Sequence, residues 1–92
     1  MGKKIDMLVI DDSLFMRSFL TKVLSSDPDI GHIKTAVDGA SALAILNSYE
    51  PDVITLDVEM PRMNGVETLK VLQEKYKKIP VIMVSALTRK GA

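Results

Sequence analysis

Asp11 and Asp12 follow directly on the apolar run Met7-Leu8-Val9-Ile10, and Asp57 closes the run Asp52-Val53-Ile54-Thr55-Leu56. Open parallel sheets bind ligands in the crevice outside the carboxyl ends of their strands, where the strand order reverses. If the two runs are neighbouring strands of such a sheet, three carboxylates meet in that crevice. Acids that close repel one another, and raising their pKa values alone is a poor remedy. A hard cation held by oxygen ligands is a better one. Mg2+ fits, since it takes few protein carboxylates, keeps several waters and favours phosphate oxygens. An acidic, metal-holding pocket with one carboxylate free to attack is suited to phosphoryl transfer onto Asp. Ser85 follows the apolar run Val81-Ile82-Met83-Val84 and would border the same crevice. Its hydroxyl can donate a hydrogen bond to a phosphoryl oxygen. Plainer readings stand beside these: Asp12 and Asp38 also suit helix caps, and Ser85 also suits a turn.

The elements that must position these residues follow from periodicity. Met7 to Ile10 reads as a strand buried on both faces. Met16, Phe19, Leu20, Val23 and Leu24 then fall on one helical face, capped by Asp12 or Ser13 and stopped at Asp27-Pro28-Asp29. Ile33, Thr35 and Val37 alternate with His32, Lys34 and Ala36, which predicts a half-exposed edge strand with His32 toward solvent. Ala42, Ile45, Leu46 and Tyr49 mark a second helix, and Asp52 to Asp57 another buried strand. Met60 to Gly65 reads as a loop, with Asn64 and Glu67 resembling a capping box and with Met60 and Met63 partly exposed. A third helix carries Val66, Leu69, Leu72 and Tyr76, with Lys75, Lys77 and Lys78 at its negative end. Val81 to Val84 is a fourth strand. The β-α-β-α-β-α-β order predicts one α/β domain with a parallel sheet and right-handed crossovers. Because such a unit normally continues with a further helix and strand, the chain reads as an incomplete one.

Composition narrows the function. The 92 residues hold 12 basic and 12 acidic side chains, no Cys and no Trp. Absence of Cys removes a disulfide scaffold and a thiolate metal site. Charge balance and 4% aromatics speak against a nucleic-acid binder. The first apolar run is too short for a signal peptide, and no run approaches a membrane span, so a cytoplasmic location without membrane contact is expected.

Four pieces of sequence together resemble the receiver domain of two-component response regulators: Val9-Ile10-Asp11-Asp12-Ser13, the strand-ending Asp57, Met60-Pro61 with Gly65, and Pro80-Val81-Ile82-Met83-Val84-Ser85-Ala86. Asp57-Val58-Glu59-Met60-Pro61 and Ser85-Ala86-Leu87-Thr88-Arg89-Lys90-Gly91 resemble more closely the receiver of the chemotaxis protein-glutamate methylesterase family. The resemblance implies a flavodoxin-like sheet of order 2-1-3-4, with a fifth strand outside this chain. It implies that Asp57 accepts a phosphoryl group from a histidine kinase. Asp11 and Asp12 would hold Mg2+, directly or through water, with Asp57 and the main-chain carbonyl of Glu59 as further ligands. Ser85 would be the switch hydroxyl, and Glu59, Met60 and Leu87 would flank the site. The domain would regulate an output domain or partner protein in a chemotaxis phosphorelay.

Receivers also carry a Lys at the end of the fifth strand and a switch aromatic on that strand; the sequence ends before either, and Lys90 does not match that position. Residues 1–92 are therefore expected to form a partial receiver, without a catalytic domain of its own, that self-associates or packs on another polypeptide. The alternative is a Mg2+-dependent phosphohydrolase of another α/β family, whose paired acid spacing occurs only as Asp57-Val58-Glu59.

Overall fold

The structure, a computed structural model, describes residues 2–58, 60 and 65–84. Strand β1 spans Ile5–Ile10, helix α1 Leu14–Ser25, β2 Ile30–Ala36, α2 Gly39–Leu46, β3 Val53–Asp57, α3 Gly65–Lys75 and β4 Val81–Val84. The strands form one sheet of order β2-β1-β3-β4, and every pairing is parallel. This is the expected flavodoxin-like arrangement. It makes β1 and β3 direct neighbours, with Ile10 opposite Leu56, so both strands deliver their terminal acids to one end of the sheet.

Alternation along the strands sorts the core into two faces. Leu8, Ile10, Ile54 and Leu56 join Ala42 and Leu46 of α2 and Leu72 of α3 in one buried cluster. Met7 and Val9 point the other way, are also buried, and lie where α1 packs on β1 and β2. The starts of α1 and α2 are each fixed by a side chain. Ser13, not Asp12, caps α1, its Oγ accepting from the Met16 N–H at 3.2 Å. Asp38 caps α2, its Oδ1 accepting from the Ser41 N–H at 2.8 Å. The chain leaves α1 through a turn in which Asp27 Oδ1 accepts from the Asp29 N–H at 2.8 Å around Pro28.

Several sequence expectations need correction. Phe19 and Val23 do not face the core; Phe19 is 51% exposed, and the inward side of α1 is Met16, Leu20 and Leu24. The reason is coverage: α1 lies over β1 and β2 at one side of the sheet, so only part of its apolar arc meets a partner. On α3, Val66 is exposed, and Thr68 takes the fully buried place beside Leu72. Met60 is buried within the α2–α3 cluster instead of partly exposed. In β2 the pattern slips: Ala36 is buried and Val37, just past the strand, is exposed. His32 is on the edge strand and exposed, as expected, with Nδ1 3.3 Å from Asp6 Oδ1. Met63, Asn64 and residues 85–92 lie outside the described residues. Among the described residues, no helix is long and apolar enough to cross a membrane.

Candidate metal centre

Asp11, Asp12 and Asp57 converge: one carboxylate oxygen from each lies within 4.8 Å of the others. The convergence is a product of sheet order. Asp57 is the last residue of β3, and Asp11 follows the last residue of its neighbour β1. The site is graded in exposure, with Asp11 and Asp57 buried and Asp12 open to solvent.

Asp11 is held at several atoms. Its N–H donates to the Ala36 carbonyl at 3.0 Å. Its carboxylate Oδ1 accepts from the Ser13 N–H at 2.9 Å. Its own carbonyl accepts from Arg17 Nη1 at 2.9 Å. Burial pushes the Asp11 carboxyl above the ordinary carboxylate range; the Ser13 hydrogen bond opposes this, the Asp12 charge adds to it, and the Arg17 charge draws it back. A buried carboxylate beside like charges is costly to ionise, and a bound cation would relieve that cost.

The donors fit Mg2+. All are carboxylate oxygens; the chain has no Cys, and its single His is on the far edge strand. An all-oxygen, acid-rich set that is open to water on one side selects a hard divalent cation over a thiophilic or imidazole-seeking metal.

Of the residues assigned from sequence, Asp11, Asp12 and Asp57 are therefore brought together. Met60 is close in sequence but its side chain belongs to the hydrophobic cluster. Glu59, Ser85 and Leu87 lie outside the described residues. Two participants were not singled out from the sequence. Arg17 carries a signal that was legible: a cation in the first turns of a helix opposes the helix dipole and so calls for an acidic or carbonyl partner. Gly65 was read only as part of a motif. Its N–H donates to the Val58 carbonyl at 3.1 Å, and a Cβ there would stand 2.6 Å from the Asp57 carbonyl oxygen. The start of α3 is thus seated directly on the backbone of Asp57 and Val58. A hollow of about 660 Å3 lies elsewhere, past the C-terminal ends of α2 and α3 between Tyr49 and Tyr76, and none of the clustered acids lines it.

The sequence profile of the response regulator receiver domain matches residues 7–91. A protein-glutamate methylesterase/protein-glutamine glutaminase from Pyrococcus horikoshii is 51% identical over 92 residues, covering 100% of this chain and 25% of that protein. Its counterpart from Pyrococcus abyssi is 52% identical over 91 residues, covering 99% of this chain and 24% of that protein. The response regulator domain of Thermotoga maritima CheB superposes with a TM-score of 0.83 at 46% identity, over 98% of this chain and 66% of that chain. The chain spans about a quarter of the length of the curated relatives it matches. These matches lend no support to a phosphohydrolase of another family.

Proposed function

The chain belongs to the response regulator receiver domain family, and on that premise we propose that its acidic cluster is a phosphoacceptor site in which Asp57 takes a phosphoryl group from a histidine kinase. The observation that supports this most directly is the meeting of Asp11, Asp12 and Asp57 at adjacent strand ends. In the proposed reaction an Asp57 carboxylate oxygen forms a bond to phosphorus. The bond from phosphorus to the donor imidazole nitrogen breaks, and the nitrogen keeps the electron pair. The product is an acyl phosphate on Asp57 and a free donor histidine.

Mg2+, held by Asp11, Asp12 and Asp57, would supply positive charge for the phosphoryl oxygens during transfer. Asp11 is positioned for this by its contacts to Ala36, Ser13 and Arg17. The reading also assigns the Glu59 carbonyl to the metal, the Ser85 hydroxyl to the phosphoryl group, and the side chains of Glu59 and Leu87 to the rim of the site, while Met60 is left to the hydrophobic cluster. The catalysis is positioning and charge stabilisation, with no general base required.

The same reading makes the chain the receiver segment of a longer cytoplasmic chemotaxis regulator with a methylesterase output. Its support is the name of the relatives that are about half identical to it over its whole length. The test is intact-mass measurement of the full-length protein after incubation with Mg2+ and a small-molecule phosphodonor. One phosphoryl group should be added to the wild type and none to Asp57→Asn. Persistent labelling of the variant would place the acceptor elsewhere.

A further inference from the structure

We propose that Arg17 is a positioning residue of the acidic site: its guanidinium, rooted in α1, grips the main chain of Asp11 and holds the loop bearing Asp11 and Asp12 against Asp57. The inference rests on the reading of the cluster as a Mg2+ site.

Arg17 stands four residues after the N-cap Ser13, with its own N–H donating to the Ser13 carbonyl at 2.9 Å. Its Nη1 reaches back over the helix start to the Asp11 carbonyl at 2.9 Å, a partly buried contact. The loop from Asp11 to Ser13 is short. Besides the Ser13 cap on α1, two main-chain donors hold it: the Asp11 N–H to Ala36 and the Ser13 N–H to the Asp11 carboxylate. Those bonds fix where the loop leaves β1. The Arg17 bond fixes how the loop turns into α1, because it ties a strand-end carbonyl to a side chain in the second turn of that helix. Asp12 lies between the two anchors.

The placement makes no sense as helix chemistry. No acidic residue stands in the first turn of α1 to pair with a cation there, and the positive end of the helix dipole disfavours one. What offsets it is Asp11, whose carbonyl accepts the Arg17 hydrogen bond and whose carboxylate feels the Arg17 charge. Arginine suits the task because its planar fork donates a directed N–H to the carbonyl; a lysine ammonium is a point charge without that geometry.

Two effects of Arg17 on a metal oppose each other. Its charge repels a dication, while its grip keeps the ligands in place. Mg2+ demands near-octahedral geometry, and partners that orient metal ligands typically contribute about 10–100-fold to affinity. The grip therefore outweighs the repulsion.

The experiment is isothermal titration of Mg2+ into the full-length protein as wild type, Arg17→Met, Arg17→Lys and the control Phe19→Ala, with thermal melts in chelator and in saturating Mg2+. Phe19 is on the same helix and exposed, its ring stacked on Phe15. Arg17→Met should weaken Mg2+ by about 10-fold and shrink the Mg2+-induced rise in Tm. Arg17→Lys should recover only part of the loss, remaining about 3-fold weak. Phe19→Ala should bind Mg2+ like the wild type whatever its Tm. Unchanged or tighter binding in Arg17→Met overturns the inference, because the side chain would then act only as a competing charge or a helix anchor. Should Arg17→Met fail to fold, Arg17→Lys decides: wild-type affinity overturns the inference and weakened affinity upholds it. A wild type that does not bind Mg2+ at all overturns both this inference and the reading beneath it.

Discussion

Asp11 shows how a cluster of carboxylates that could hold a cation is kept at the expense of the cation-free fold. Its carboxyl is 3% exposed, and burial, reinforced by the Asp12 charge, raises its pKa above the ordinary value. The sign follows from proton linkage. A carboxyl that holds its proton more tightly when folded than when unfolded opposes folding once ionised. That cost is absent below the ordinary carboxylate pKa, grows as pH rises from there to the raised value, and is complete above it. Asp11→Asn keeps an acceptor for the Ser13 N–H and removes the charge. It should raise Tm near neutral pH in chelator, and the advantage should fade as the pH is lowered into the carboxylate range. The same variant should lose most of its Mg2+ affinity. Thermal melts at the two pH values, with a Mg2+ titration beside them, check both halves; a lower Tm for Asp11→Asn at neutral pH would refute the strain. Asp12 is exposed and its charge adds to the cost at Asp11, so Asp12→Asn should weaken Mg2+ by removal of a ligand charge while raising Tm in chelator by less than Asp11→Asn does.

Elements carry the next level of control, and the junction of β3 with α3 is the tightest. A Cβ on Gly65 would lie 2.5 Å from the Val58 Cα and 2.6 Å from the carbonyl oxygens of Asp57 and Val58. All of these are backbone atoms, so none can swing aside. Alanine is the better helix former by about 1 kcal/mol, yet overpacking against a fixed neighbour costs about 1–3 kcal/mol. Gly65→Ala is therefore expected to destabilise by about 1–2 kcal/mol in urea titrations and to slow phosphorylation, since the displaced backbone includes Asp57. Gly2, with open space around it, should accept Ala without effect.

The alternation of strands and helices, the starts of α1 and α2 and the acids at the strand ends were legible from the sequence because each rests on local chemistry, whereas the strand order that brings the acids together came from the family resemblance. Apolar runs ended by Asp, and Ser or Asp standing before a helical period, mean the same thing in any context. What was not legible depended on which part of a face is covered. Phe19 and Val23 carry the right spacing for a core, but only the tertiary placement of α1 over β1 and β2 leaves them outside. Thr68 is polar by type and buried by position. Gly65 looked like loop punctuation, and its close approach to Asp57 is a distance that no spacing encodes.

The whole molecule is unevenly covered. Leu8, Ile10, Ile54 and Leu56 are sealed beneath α2 and α3. On the opposite face, among the described residues, α1 packs over β1 and β2. In the row Val9–Thr55–Ile82, Val9 is fully buried, Thr55 keeps a buried Oγ1 without a hydrogen-bond partner, and Ile82 is 53% exposed. Phe15 and Phe19 stack at 6.3 Å on the outer side of α1 and are 73% and 51% exposed, with Val23 next in the same helical row. Strand β4 is at the margin of the sheet, and among the described residues it pairs only with β3. An apolar, uncharged edge strand and exposed aromatic area both favour association with another chain. A domain of this size has about 5–15 kcal/mol of net stability at most, so uncovered apolar area is a large share of what folding would otherwise gain. The 92-residue polypeptide by itself is therefore expected to associate at micromolar concentrations. Sedimentation velocity across a dilution series should show a rising sedimentation coefficient, and Phe15→Ser with Phe19→Ser should shift the distribution back toward monomer. A concentration-independent monomer with a single sharp thermal transition would show instead that the exposed face of α1 and the β4 margin are tolerated in isolation.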